Sequence, residues 1–344
     1  MGTRERRVSV KSDRSKLVKW DDLRMELILN CTQDLIKKAA KTLKAGHLVA
    51  FPTETVYGLG ADATNEKAIG KIYSVKGRPI DHPLIVHISS INQLSKWAVN
   101  IPKYAFKLAE EFWPGPMTLI LQRSALAEDF ITGGQSNVGL RVPAQPIALA
   151  LLSEFEKIGG SGIAAPSANR FGAVSPTTSN AVKSELENFL NDRDLILDGG
   201  LCLIGIESTI IDCTKVLPRV LRSGAITNEM IVTVSGLDES TNCDLSAIKA
   251  PGVLESHYSP KAKVVLDSIA KSGEGFIAMS DIPTPSGAIR LASPTTIQEY
   301  ARDLYTALRL GDEKNLKKVI ILLPQGEGLA VAIRDRATKA AAGK

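Results

Sequence analysis

The 344-residue chain is poor in the residues that build metal centres and disulfide frameworks. Its four cysteines and four histidines are scattered, and no two cysteines form a CxxC pair. We therefore expect no zinc site and reduced thiols. The sequence has no run of about 18 apolar residues, which excludes an ordinary transmembrane helix. Residues 1–16 are basic without a secretory apolar core, so we expect a cytoplasmic protein with no membrane partner.

Common catalytic and nucleotide-binding signatures are also absent. The chain contains no GxxxxGK[ST] phosphate loop, no GxSxG nucleophile motif and no HExxH metal motif. Residues 58–63, GLGADA, loosely match a dinucleotide fingerprint. Because Thr53 to Tyr57 separate them from the preceding apolar run, we interpret these glycines as residues of a tight turn. The sequence offers no recognisable nucleophile with its base.

The overall composition is that of a soluble globular protein. Apolar residues make up 44% of the chain and charged residues 23%, which is enough to build a large core without disulfides. The length favours one large or two ordinary domains. A formal net charge of +5 permits contact with nucleotides or nucleic acid but does not require it.

Helical and strand patterns alternate along most of the chain. A 3.6-residue apolar period after residue 33, then Gly46 and the run HLVAF, predicts a helix, its end and a buried strand. Periodicity weakens near residue 235 and returns at KVVLD, where a small doubly wound α/β domain is expected. We divide the chain into a basic N-terminal extension (1–30), a large α/β domain (31–235), a linker (236–262) and a small domain (263–344).

Polar clusters recur beside the predicted strands, where α/β proteins place their ligand sites. Hydroxyls and backbone N–H groups there can bind phosphate, and arginine forms bidentate bonds to it. The cations of these clusters could together offset a triphosphate: Lys76, Arg78, Arg141, Arg170 and Arg222. Each alone also fits a solvated surface charge. His87 fits a core histidine as well as a ligand contact, and Tyr258 fits a local anchor as well as a lid residue.

In this order, the clusters resemble the threonylcarbamoyl-AMP synthase family, the YrdC-like domain in its long, two-domain form. The segments that carry the resemblance are FPTETVYGLGADA, KGRPIDHPLIVHI, WPGPMTLIL, VGLRVP, APSANRFGAVSPT, GIESTIID, VLRSGAI and PGVLESHYSPKA. It covers residues 33–235 almost continuously, then the linker and the small domain. The resemblance implies a twisted mixed-sheet domain followed by a linker and a small Rossmann-like doubly wound domain.

The resemblance also implies a reaction. L-threonine, bicarbonate (or CO2) and ATP would give threonylcarbamoyl-AMP and pyrophosphate. A separate tRNA threonylcarbamoyltransferase would then modify adenosine 37 of tRNAs that read codons beginning with A. Such chemistry needs positioning and charge neutralisation more than a protein nucleophile. Mg²⁺ would arrive with ATP, held mainly by the phosphates, with no tightly bound organic cofactor and no metal site made by the protein.

The family's site residues carry over to matching positions of this chain. The resemblance implies an L-threonine site at Thr55, His87, Arg141, Ala165 (through its backbone) and Ser208, with Arg141 pairing with the carboxylate. It implies nucleotide contacts at Lys76, Arg78, His82, Asn137, Ser167, Ser175, Arg222 and Tyr258. His82 departs from the family, which usually has asparagine there; an imidazole's charge varies near pH 6.5. Tyr258 would cover the pocket and shield the product from water.

Two other functions compete with the synthase. Related isolated domains resemble concave basic surfaces suited to double-stranded RNA, so contact with tRNA or double-stranded RNA stays open. The sequence has no RNP motif, and aromatic residues make up only 5% of it, which disfavours stacking on bases. A carbamoyl-transfer maturation factor is the third candidate. That class carries CxxC zinc fingers and an acylphosphatase segment, and this chain has neither.

Overall fold

The computed structural model describes residues 32–238, 248–250 and 258–343. The expected N-terminal extension (1–30) and most of the expected linker lie outside the described residues. Within the described part, a nine-stranded sheet and a four-stranded sheet form two α/β units. Cys202 and Cys213 are both buried and free, while the other two cysteines lie outside the described part.

Several helices of the large unit begin at a residue whose side chain caps them. Thr32, Asn65 and Thr178 each accept a backbone N–H three residues ahead, which satisfies donors that the first helical turn leaves unpaired. The helices are α1 (Gln33–Lys44), α2 (Glu66–Lys76), α3 (Leu94–Trp97), α4 (Lys103–Phe112), α5 (Asp129–Thr132), α6 (Pro146–Lys157), α7 (Ser179–Leu186) and α8 (Asn228–Ser235).

The large sheet mixes parallel and antiparallel pairs. Its strands are β1 (Val49–Phe51), β2 (Gly58–Asp62), β3 (Ile85–His87), β4 (Met117–Gln122), β5 (Asn137–Arg141), β6 (Ile163–Ala164), β7 (Leu195–Ile196), β8 (Thr209–Asp212) and β9 (Arg219–Arg222). They lie in the order β7-β1-β2-β6-β3-β5-β4-β8-β9. Because β3 and β5 are parallel and paired in register, His87 lies directly beside Arg141. The expected mixed-sheet domain is confirmed.

The interpretation of GLGADA as a tight turn is wrong. Gly58–Asp62 is β2, a fully buried strand paired antiparallel with β1 and β6. A Cβ on Gly60 would lie 2.7 Å from Ile163 Cγ2 and 2.8 Å from Phe51 Cε1. The glycine is therefore needed for close packing across the sheet, not for turning the chain.

The small unit is built on a wholly parallel sheet. Its strands are β10 (Lys263–Leu266), β11 (Gly275–Ile277), β12 (Ile289–Ala292) and β13 (Lys318–Ile321), in the order β10-β13-β11-β12. Its helices are α9 (Ile297–Glu313) and α10 (Leu329–Ala341). Both helices share one apolar cluster with the sheet, while the segments after β10 and β11 help to cover its other face through Ala270 and Ala278. The expected second α/β domain with a parallel sheet is confirmed.

The two units pack tightly through α9. An apolar cluster joins Val56, Val174 and Ile206 of the large unit to Tyr305 and its neighbours in the small one. A Cβ on Gly205 would lie 2.4 Å from the backbone of α9, so this loop is pressed against the helix. No helix within the described ranges combines the length and apolar character needed to cross a bilayer.

Candidate active site

A pocket opens in the large unit where several strands end. Its wall is formed by Thr53, Thr55, Val56, Tyr57, Gly58, Arg78, Ile85, His87, Arg141, Ala165, Pro166, Ser167, Glu207, Ser208, Arg222 and Tyr258. Nine of the residues singled out in the sequence therefore lie on one wall: Thr55, Arg78, His87, Arg141, Ala165, Ser167, Ser208, Arg222 and Tyr258. The structure brings together segments more than 200 residues apart in the chain.

The segment after β1 fixes the direction of the Thr55 hydroxyl. Thr53 Oγ1 donates to the Val56 carbonyl at 2.6 Å and lies 2.8 Å from Thr55 Oγ1. Because the single proton of Thr53 is used, Thr55 must donate to Thr53. The Thr55 oxygen then presents only acceptor capacity to the pocket, which suits an ammonium or amine.

Arg141 lies at the end of β5 and is paired with a buried carboxylate. Its Nη2 is 2.5 Å from Glu54 Oε1, and its Nε donates to the Gly115 carbonyl at 3.3 Å. The second oxygen of Glu54 accepts the Ala144 N–H at 2.9 Å. Glu54 is fully buried and Arg141 nearly so. The carboxylate thus orients the guanidinium, whose other N–H groups can still bind a ligand.

His87 is held neutral beside this pair. Burial, together with the charge of Arg141, lowers the pKa of His87 to about 3. The ring packs edge-on against Phe51 with centroids 5.8 Å apart, and the buried Nδ1 has no hydrogen-bond partner among the residues that the structure describes. A neutral imidazole that lines a pocket with an unused nitrogen is suited to a hydroxyl or amine of a ligand.

Ser208 and Arg222 form another part of the wall. Arg222, the last residue of β9, donates from Nε to the Ser208 carbonyl at 3.0 Å and from Nη2 to the Ser208 hydroxyl at 3.1 Å. Thr118 Oγ1 lies 2.8 Å from the same hydroxyl. Burial lowers the pKa of Arg222. Ser208 and Arg222 therefore form a rigid, positively charged surface that is poorly solvated.

Glu207, next in sequence to Ser208, connects this wall to the small unit. Its Oε1 accepts the Ser175 hydroxyl at 2.7 Å, and its Oε2 accepts Tyr305 of α9 and Arg336 of α10, each at 2.9 Å. Burial raises the pKa of Glu207, but the charges of Arg336 and Arg222 outweigh it and hold this pKa at about 2. Glu207 is therefore a permanent buried anion.

Tyr258 closes the pocket from the end of the linker. Its backbone has a φ of 64°, and its ring stacks on Tyr305 with centroids 5.5 Å apart. The Cζ of Arg336 lies 5.6 Å from the Tyr258 ring centroid. The next residue, Ser259, donates its N–H to the Gly172 carbonyl at 2.9 Å. Tyr258 is thus buried between the pocket and the small unit.

Arg78 and Lys76 lie near each other, but only Arg78 lines the pocket. Arg78 lines the pocket and donates to the Pro83 carbonyl at 3.0 Å, and burial lowers its pKa to about 10. Lys76 ends α2 behind it, where Nζ donates to the carbonyls of Ser167 (2.6 Å) and Asn169. Burial, with Arg78 nearby, also lowers the pKa of Lys76. In this structure Lys76 holds the 167–169 loop in place.

His82, Asn137 and Ser175 do not line the pocket. His82 packs edge-on against Phe171 at 5.4 Å, and burial with the charge of Arg78 lowers its pKa. Asn137 begins β5, where it pairs with Gln122. Ser175 lies behind the wall and donates to Glu207. Their predicted nucleotide contacts therefore remain predictions, and of the three, Ser175 bonds directly to a wall residue, Glu207.

Sequence reasoning missed Glu54, Glu207, Tyr305 and Arg336. Glu54 had a signal, because it stands between two threonines directly after a buried strand. Arg336 had one too, since α10 buries residues 330, 333, 337 and 340, and residue 336 falls on that face. No signal in the sequence marked Tyr305, because an aromatic residue in an amphipathic helix is ordinarily part of the core.

The pocket is suited to a polar ligand with an anionic end. Three buried arginines and one buried glutamate line it, so the wall carries a net positive charge that an anionic ligand would offset. Thr55 and His87 offer uncharged polar contacts in the same pocket. In the described part of the chain, no group of three or more histidine, cysteine, aspartate or glutamate residues could hold a metal ion.

Comparison with known proteins identifies close relatives. Residues 41–224 match a protein family described as "Telomere recombination" (Sua5/YciO/YrdC), and residues 226–342 match "Threonylcarbamoyl-AMP synthase, C-terminal domain". A threonylcarbamoyl-AMP synthase of Pyrococcus abyssi is 39% identical over 92% of this chain and 98% of its own, and one of Bacillus subtilis is 37% identical over 94% and 97%. The crystal structure of P. abyssi Sua5 complexed with L-threonine superposes with a TM-score of 0.81 at 37% identity, covering 91% of this chain and 95% of that one.

Proposed function

The chain belongs to the Sua5/YciO/YrdC family in its long form with the threonylcarbamoyl-AMP synthase C-terminal domain, and on that premise we propose that it is a threonylcarbamoyl-AMP synthase. The proposed reaction joins L-threonine, bicarbonate or CO2, and ATP into threonylcarbamoyl-AMP with release of pyrophosphate. The observation that carries the proposal is one pocket that brings the uncharged polar residues Thr55 and His87 together with three buried arginines, which are Arg78, Arg141 and Arg222. A relative of known structure was crystallised with L-threonine.

The side formed by Thr55, His87 and Arg141 suits L-threonine. Thr55 presents an acceptor to the amine, and neutral His87 offers a ring nitrogen to the hydroxyl. Arg141 has N–H groups beyond those used by Glu54 and Gly115, and these would bind the carboxylate. Ala165 supplies backbone and Ser208 a hydroxyl to the same volume.

The side formed by Arg78, Ser167 and Arg222 suits the nucleotide phosphates. Two buried guanidinium groups would offset much of the triphosphate charge, and both are already fixed by bonds to backbone carbonyls. Fixed donors lose little conformational entropy on binding. Lys76 and Ser175 would act from behind by holding the loops that carry these contacts.

The proposed chemistry has two bond-forming steps. The amine of threonine adds to CO2 and loses a proton, which gives a carbamate. A carbamate oxygen then attacks the α-phosphorus of ATP, and the bond from that phosphorus to the bridging oxygen of pyrophosphate breaks. Both steps demand alignment and stabilisation of negative charge, which the pocket's fixed cations and hydrogen-bond donors provide.

Mg²⁺ fits this pocket as a companion of the triphosphate. Both oxygens of Glu207, a carboxylate on the wall, already accept hydrogen bonds, and both oxygens of Glu54 are used as well. These two carboxylates are therefore better suited to pairing with the protein's own cations than to binding a metal ion. We propose that Mg²⁺ is held by the phosphates and neutralises charge on the leaving pyrophosphate.

The product implies a partner. A threonylcarbamoyl adenylate is a mixed anhydride that water destroys, so it must pass to an acceptor soon after release. We propose that a tRNA threonylcarbamoyltransferase consumes it to modify adenosine 37 of tRNAs reading ANN codons. Direct binding of tRNA or double-stranded RNA is the competing function, and a pocket whose lining residues are mostly buried supports a small molecule better than a duplex.

Pyrophosphate release from ATP tests the proposal. We expect release by the purified full-length chain only when L-threonine and bicarbonate are both present with Mg²⁺. Omission of either one should abolish it. RNA binding without any such release would overturn the proposal and favour the RNA-binding function.

A further inference from the structure

One charged side chain of the small unit bonds to the pocket wall from behind. Arg336 is fully buried, with Nε on Glu207 Oε2 at 2.9 Å, Nη2 on the Ser223 carbonyl at 3.0 Å and Nη1 on Asp335 Oδ2 at 2.5 Å. It therefore bonds two segments of the large unit, one on each side of Arg222. A guanidinium held this way is part of the site's scaffold, although it belongs to another domain.

The charges at this place compete with one another. Glu207 is a buried anion, and its field acts on both Arg336 and Arg222. A buried carboxylate without a counter-ion is strongly unfavourable, so it takes the nearest cation that can reach it. With Arg336 present, that cation comes from the small unit. Without Arg336, the cation left beside Glu207 would be Arg222 on the pocket wall.

We propose that Arg336 is a positioning residue that neutralises Glu207 and so keeps the Arg222 guanidinium directed at the nucleotide's phosphates. This inference rests on the proposed function for the identity of the phosphate ligand. It assigns the C-terminal domain a defined task in the reaction, which is to complete the charge balance of the ATP site. Tyr305 supports the same arrangement by donating to Glu207 Oε2 at 2.9 Å.

The test is a rescue experiment on the full-length chain. Arg336→Met should weaken ATP binding by about tenfold or more, which corresponds to about 1.4 kcal/mol, with a much smaller change in the KM for L-threonine. Adding Glu207→Gln removes the anion that captures Arg222. The double variant should therefore recover most of the ATP affinity, because the amide oxygen can accept from Tyr305 while its NH2 group donates to the Ser175 hydroxyl.

A matched control separates charge balance from loosened docking. Arg309 of α9 forms another ion pair between the two units, with Glu185 at 3.2 Å, outside the pocket wall. Arg309→Met should leave ATP affinity within about twofold of the parent, well under the tenfold that 1.4 kcal/mol produces. Tyr305→Phe, which keeps Arg336, gives a milder variant and should shift ATP affinity in the same direction as Arg336→Met.

ATP binding is measured by calorimetry, and KM values by pyrophosphate release. Failure of rescue by Glu207→Gln, or an equal loss in Arg309→Met, would overturn the positioning role. If the parent chain binds ATP but turns over no threonine, the proposed function fails while the binding series still tests Arg336. If Arg336→Met does not fold, the Tyr305→Phe variant and the neutral double variant decide the question by the same measurements.

Discussion

At the residue scale, the pocket is lined by buried charged residues, and two of them, Arg141 and Glu207, form ion pairs with residues behind the wall. Arg141 with Glu54, Arg222, and Glu207 with Arg336 are each fixed by backbone or side-chain bonds. Groups fixed before the ligand arrives need little reorganisation when charge develops in the reaction. The wall's chemistry thus lies in its charge arrangement rather than in a nucleophile.

The first prediction concerns Glu54. Glu54→Gln should destabilise the fold by about 3–5 kcal/mol, because it leaves the Arg141 charge buried without its anion. Urea unfolding measures the loss. Lys157→Ala breaks an exposed pair with Glu154 and should cost about 1 kcal/mol or less. Equal effects of the two substitutions would show that the Glu54–Arg141 pair is not a structural element of the site.

The second prediction concerns the pH dependence from His87. Its pKa is about 3 in the folded protein and higher when unfolded, so between those values the unfolded chain binds the extra proton. The stability from neutral His87 is complete at pH 7 and falls as the pH drops toward 3. His87→Asn should reduce the loss of unfolding free energy between pH 7 and pH 4.5 by about 2 kcal/mol. Urea unfolding at both pH values measures it, and an unchanged slope would contradict the account.

At the element scale, most of the fold follows from local patterns. The 3.6-residue period and the capping residues indicate the helices at 33–44, 66–76 and 146–157, and the apolar runs indicate β4 and β8. Strands β2 and β12 escaped prediction. The glycines of β2 look like turn residues, and nothing local says that a neighbouring side chain occupies the space of their Cβ atoms.

Gly60 allows a direct test of that packing. Gly60→Ala should destabilise the chain by about 1–3 kcal/mol, because the new methyl group would overlap Ile163 and Phe51. Gly70 provides the control, since it lies inside α2 with nothing within 4 Å of a Cβ. Gly70→Ala should stabilise by about 0.5–1 kcal/mol. Thermal unfolding of both variants is the measurement, and a harmless Gly60→Ala would mean that β2 is less tightly packed.

Part of the candidate site could also be predicted from local patterns in the sequence. Polar residues beside strand ends, such as Arg78, Arg141 and Ser208, stand out because their neighbours are apolar. What the sequence could not give is the pairing of distant groups. Arg336 and Glu207 are 129 positions apart, and their bond exists only because the small unit docks beside the pocket.

At the scale of the whole molecule, the two units act as one site. Tyr258 ends the linker inside the pocket wall and stacks on Tyr305 of the small unit. Tyr258 therefore covers the pocket, and the small unit supports Tyr258 from behind. In the proposed reaction, this cover would shield the labile acyl phosphate from water.

The fourth prediction tests that cover. Tyr258→Ala should keep the fold and raise the ratio of pyrophosphate released to threonylcarbamoyl-AMP recovered, because water reaches the anhydride. Tyr258→Phe keeps the ring against Tyr305 and should hold the parent's ratio. Parallel assays of both species in one reaction measure it. An unaltered ratio in Tyr258→Ala would mean that the tyrosine does not shield the product.

The central claim is that one pocket joins threonine, a one-carbon unit and the adenylate of ATP. Incubation of the full-length chain with ATP, Mg²⁺, L-threonine and ¹³C-labelled bicarbonate, followed by mass spectrometry, tests it most directly. The account predicts a nucleotide with the mass of threonylcarbamoyl-AMP that carries one ¹³C and appears with pyrophosphate. Pyrophosphate formed without that labelled nucleotide, or an adenylate that lacks the label, would contradict it.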